Sequence, residues 1–136
     1  VKYTIDDLRE AETKDLDVTQ FFPKAKEPVF ITIRRLESGF HNRVINFLAL
    51  ARYEIEQAKE NGIPSSQADL SGWDAARMET ILGGVVVDDK FPFEQWNKET
   101  VEAVEQRNPS FISFLYTNIQ GLDRPLAEKM NSDSGK

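Results

Sequence analysis

Between residues 39 and 61, Phe40, Val44, Phe47, Leu48, Ala51, Ile55 and Ala58 recur mostly three or four residues apart. That period lines them along one side of an α-helix, with Arg43, Arg52, Glu56, Lys59 and Glu60 on the other sides. The ends of the pattern are equally well marked. Ser38 is a suitable N-cap, Asn61-Gly62 offers a left-handed stop, and Pro64 forbids continuation. A helix this long gains most of its stability from packing its apolar side, so the other segments must supply a surface for it to cover.

Three further helices are expected. Ser71 is a candidate cap with Asp74 three residues on, and Met78, Ile81, Leu82 and Val85 share one face of the helix that follows. Gly83-Gly84 should end or bend it, since each glycine costs about 1 kcal/mol relative to Ala inside a helix. Asn97 caps a third helix over residues 98–106, with Val101 and Val104 facing inward. Asn108-Pro109 closes that helix and opens a fourth, whose stripe is Phe111, Ile112, Leu115, Ile119 and Leu122, with Phe114 beside it and Gly121 and Pro125 at its end.

The N-terminal part is less regular. Thr4 can cap a short helix reaching about Ala11, and residues 12–27, charged and interrupted by Phe21-Phe22-Pro23, read as a connector. Residues 28–36 form the best strand, with Val29, Ile31 and Ile33 on one side and Phe30, Thr32 and Arg34 on the other. Such a strand needs a mate. The candidates are Val85-Val86-Val87, the N-terminal region, the Phe21-Phe22 region or another subunit, so a homo-oligomer is one expectation. The fold class that follows is mainly α: a single-domain helical bundle of about four helices with a minor β element near residues 28–36. An N-terminal segment would cover 1–24, the helical core domain 25–128 and a flexible tail 129–136.

Charge and composition narrow the function. Twenty-three acidic against 17 basic residues leave a net charge of −6 in a chain of 136 residues, which suits one soluble domain and repels phosphate backbones. Arg34-Arg35 is the one adjacent arginine pair, so nucleic acid is not an expected partner. No cysteine is present, and no apolar run approaches the ~18–20 residues of a spanning helix. The first twenty residues are too polar for a secretory signal, and Val1 in place of an initiator Met is read as processing or trimming. A cytosolic protein without membrane association is expected.

Chemistry is thinly represented. His41 is the sole histidine and falls in the first turn of the long helix, where it reads as an ordinary polar-face residue; with no cysteine beside it, the usual four zinc ligands cannot be assembled. Asp88-Asp89-Lys90 after an apolar run has the residue types of a metal-dependent hydrolase, although a solvated turn is the simpler reading. Gly83-Gly84 lacks the Lys and Ser/Thr of a phosphate-binding loop. Glu54/Glu56 and Glu99/Glu102 read as solvated helix faces. No catalytic residue, metal or cofactor is therefore expected. Phe21, Phe22, Phe91, Phe93 and Trp96 stand outside the helical stripes and near prolines, where each singly reads more simply as a minor-core plug; as a set they are the candidate partner-binding residues.

The order of these features has a parallel. A charged N-terminal segment, the strand Val29-Phe30-Ile31-Thr32-Ile33-Arg34-Arg35-Leu36, a long helix, Trp73 to Val87, Asp88-Asp89, Phe91-Pro92-Phe93 and the block Asn108 to Tyr116 follow one another. Over roughly residues 25–128 this resembles the tail assembly chaperones of long-tailed bacteriophages and of prophages in Gram-positive bacteria. The resemblance is one of pattern, without a diagnostic motif. It implies a non-enzymatic protein of the bacterial host cytoplasm that coats the tape measure protein, helps recruit tail tube protein, and is often also made in a longer, frameshifted form. Other readings are a head-tail connector subunit or small regulator, and a metal-dependent hydrolase using Asp88 and Asp89.

Overall fold

The computed structural model describes residues 1–7, 13–68 and 70–122. Four helices of consequence and a three-stranded antiparallel sheet make up these residues, a mainly α architecture with a minor β element. The helices are α1 (Ser38–Glu60), α2 (Ser71–Gly84), α3 (Lys98–Arg107) and α4 (Pro109–Leu122). The strands are β1 (Thr13–Asp17), β2 (Phe30–Arg34) and β3 (Val85–Val86), in the order β1-β2-β3.

Local chemistry accounts for most boundaries. Gly62 takes a φ of 70°, the left-handed conformation that stops α1. Asn97 accepts a hydrogen bond from the Thr100 N–H at 2.9 Å and caps α3 as its sequence position implies. At the N-terminus the Asp7 N–H donates to Thr4 Oγ1 and the Thr4 N–H donates to Asp7 Oδ2, a reciprocal capping pair in front of helical residues 5–7. The expectation that this helix reaches about Ala11 falls on residues outside the described ones, as do Pro125 and the tail at 129–136.

Two expected caps are corrected. α1 begins at Ser38 behind Glu37, with no side-chain cap bond. α2 begins at Ser71 behind Leu70, and its first amides are taken by Glu54 of α1 instead of by a local side chain.

The connector expected over residues 12–27 supplies a strand. β1 pairs antiparallel with β2, Leu16 opposite Ile31 and Asp15 opposite Thr32, and the Val18 N–H continues the ladder to Val29 O at 2.9 Å. β3 pairs with the other side of β2, Val85 opposite Ile33. β2 is thus the central strand, which removes the argument for self-association based on an unmated strand. It also places Leu16 and Val18, both buried, in the core, so a division between residues 24 and 25 would cut through the sheet.

Ile31 and Ile33 point inward from β2 while Phe30, Thr32 and Arg34 point outward. The inner face meets Leu115 and Ile119 of α4 and Val44 and Leu48 of α1 in one apolar cluster. Fully burying each such side chain contributes roughly 1.5–3 kcal/mol. α2 lies at the centre, against α1, α4 and the sheet, and its glycines allow that closeness. A Cβ on Gly72 would fall 2.5 Å from the Phe47 carbonyl oxygen and the Ala51 nitrogen of α1, and one on Gly84 2.5 Å from Ile119 of α4. α2 does end at Gly84, but both Gly83 and Gly84 are buried and serve close packing. No helix among the described residues is long and apolar enough to cross a membrane.

Candidate protein-docking groove

The five candidate aromatics come together, and do so around α4. Phe21 and Phe22, carried on the loop between β1 and β2, reach Phe111 at ring separations of 5.0 and 5.8 Å. Phe93 lies 5.9 Å from Phe22 and stacks on Trp96 at 5.7 Å, while Phe91 meets Trp96 edge-on at 5.3 Å. The Trp96 Nε1–H donates to Ile81 O at 3.4 Å. Phe91 is buried and the other four are half-buried, packed against the main core. Prolines and short loops bring these rings from two separate segments against Phe111 at the edge of the main core, and aromatic pairs of this geometry each add about 0.5–1.5 kcal/mol beyond their buried area.

The acidic turn is equally local. Asp88 Oδ1 accepts the Lys90 N–H at 3.2 Å, and Lys90 Nζ reaches across to Asp15 Oδ1 of β1 at 3.1 Å. Thr32 Oγ1 donates to the same Asp15 oxygen at 2.6 Å, and these contacts hold the Asp15 carboxyl below its usual range. Asp88 and Asp89 are exposed, and among the described residues no group of three or more His, Asp or Glu converges to hold a metal ion.

The basic pair has structural employment. Arg34 Nε donates to Gly83 O in the last turn of α2 at 3.1 Å, and Arg35 Nε donates to Leu122 O at the end of α4 at 3.3 Å. Each guanidinium meets carbonyls that a helix end leaves open. Glu54 does the converse at a helix start: its carboxylate accepts from the Ser71 N–H, Ser71 Oγ and the Gly72 N–H at 3.1, 2.7 and 2.7 Å. Burial raises its pKa, but these hydrogen bonds outweigh that and hold it below the ordinary value.

A groove of about 620 Å³ runs between α2 and α3. Met78, Ile81 and Leu82 of α2 and Val101 of α3 form its floor, and Phe47 of α1 lines it near the start of α2. Its rim carries Asp74, Arg77, Glu79, Lys98, Glu102 and Glu105. Arg77 ties three helices together, pairing with Glu105, donating to Ser113 Oγ at 3.2 Å and lying 5.9 Å from the Tyr116 ring centre. Burial pushes the Tyr116 hydroxyl up to about 12, against the opposing influence of Arg77. Glu79 pairs with Arg43 at 3.3 Å, and Arg43 in turn lies 4.5 Å over the Phe40 ring.

Sequence reasoning places Met78, Ile81, Leu82 and Val101 on inward faces without showing that some of that surface stays open. The one available signal is the poverty of α3. Val101, Ala103 and Val104 are its only apolar residues, and a ten-residue helix with so little apolar surface cannot cover all of α2. Searches against protein-family models, curated proteins and solved structures give no match to this chain.

Proposed function

We propose that this chain is a non-enzymatic protein-binding module of the phage tail assembly chaperone kind. In this reading it covers apolar helical surface of a tape measure protein in the bacterial cytoplasm and helps recruit tail tube protein. The observation that carries the reading is the groove between α2 and α3, in which half-buried Met78 and Leu82 lie between charged rims. Apolar floors with polar surrounds are typical of surfaces that bind other polypeptides. The net charge of −6 would keep such a complex soluble. The pattern resemblance over residues 25–128 supplies the partner's identity.

Co-expression with the tape measure protein tests the proposal. The soluble fraction of that protein should rise several-fold in the presence of this chain. Equal solubility with and without it would defeat the reading.

A further inference from the structure

Within the groove, the two walls are both helical faces. Lys98, Val101, Glu102 and Glu105 stand at i, i+3, i+4 and i+7 of α3, while Ser71, Asp74, Ala75, Met78 and Leu82 stand at i, i+3, i+4, i+7 and i+11 of α2. From Ser71 to Leu82 the α2 wall is roughly 16 Å long at about 1.5 Å per residue, or three helical turns. Since both walls satisfy their backbone hydrogen bonds internally, the groove offers no strand edge. An extended peptide would lay unpaired amides on Met78, Ile81 and Leu82, at a cost of a few kcal/mol for each one buried. A helix brings its backbone already paired and needs only an apolar stripe of its own.

Charge selects among helices. The rim holds four acids and two bases, of which Glu105 is committed to Arg77 and Glu79 to Arg43 of α1, leaving Asp74, Glu102 and Lys98 to meet a ligand. Asp74 is exposed in the first turn of α2, and Glu102 is exposed and only loosely held by Lys98, at 3.9 Å. An exposed pair at that distance exchanges readily for a better cation. We infer that the α2–α3 groove binds an amphipathic α-helix of about three turns, with apolar anchors at i, i+3 or i+4 and i+7 and Lys or Arg flanking them. This rests on the protein-binding reading above but not on the identity of the tape measure protein as partner.

Peptide display against the whole chain tests it. The library is of 16-residue helical peptides with Leu fixed at the anchor positions and either Lys or Glu at the flanking positions. The wild-type chain should enrich Lys-flanked members at least tenfold over Glu-flanked ones. Asp74→Lys combined with Glu102→Lys changes two exposed residues, should keep the circular dichroism spectrum, and should reverse the preference. Leu50→Lys, outside the groove, should leave it unchanged. Failure to enrich any helical member, equal enrichment of both kinds, or a preference indifferent to the double substitution would overturn the inference. If the chain solubilises the tape measure protein while the double substitution has no effect on peptide choice, the groove assignment alone falls. If Lys-flanked helices bind in the groove but the tape measure protein is indifferent to the chain, the partner proposed above falls and the groove assignment stands.

Discussion

Glu54 shows how one side chain joins two helices. It leaves α1 and takes two amides and a hydroxyl at the head of α2, where the helix dipole also favours a negative charge. Glu54→Gln removes the charge and one of the accepting oxygens, and should cost about 1 kcal/mol in denaturant unfolding. The pH dependence has a definite sign. Because the folded carboxyl titrates below its ordinary value of 4.5, its contribution is present above that pH and is lost as pH falls through the lower folded value. The melting temperature of Glu54→Gln should therefore fall less steeply than wild type below pH 4.5. At the alkaline end Tyr116 behaves oppositely. Its folded value of about 12 lies above the ordinary 10.0, so stability is retained below pH 10 and declines as pH rises towards 12. Tyr116→Phe should remove that part of the decline in alkaline denaturation.

At the level of elements, glycines separate close approach from mere flexibility. A methyl group on Gly72 would meet the backbone of α1, which cannot move aside without separating the two helices. Gly72→Ala should destabilise the protein by about 1–3 kcal/mol through overpacking. Gly121, near the end of α4, has nothing within 4 Å of an added Cβ and no positive φ. Gly121→Ala should be neutral or stabilising by up to about 0.5–1 kcal/mol, because it reduces the freedom of the unfolded chain. Paired urea titrations of the two variants check both signs. β1 makes a complementary point. Its Lys14, Asp15 and Asp17 leave a charged outer edge, which discourages pairing with another chain.

For the whole molecule, the sheet and the aromatic cluster make the N-terminal residues part of the core. Residues 13–22 contribute β1, buried Leu16 and Val18, and the Phe21 and Phe22 rings against Phe111. A chain starting at residue 25 would uncover Ile31 and Ile33 at a bare strand edge, and calorimetry should find its cooperative melting transition lost or sharply lowered. The same architecture predicts the response to Phe111→Ala. This ring touches Phe21, Phe22 and Phe93, so its loss should cost about 3–5 kcal/mol and raise the exposure of Trp96 in quenching experiments.

The helices were legible in the sequence because their signals are local. The stripe from Phe40 to Ala58, the Gly62 stop, the Asn97 cap and Pro109 at the head of α4 each depend on residues within one or two turns. β2 was legible for the same reason, through the alternation of Ile31 and Ile33 with Thr32 and Arg34. β1, with Leu16 as its one apolar residue, carried no such period and is a strand only because β2 lies beside it. Tertiary structure alone decided that Arg34 and Arg35 close two helix ends, that Glu54 opens another, and that five scattered aromatics pack together. It also decided that a valley remains between α2 and α3. Periodicity says which face of a helix is apolar, whereas the shape and extent of the surface that meets it depend on residues far away in the chain.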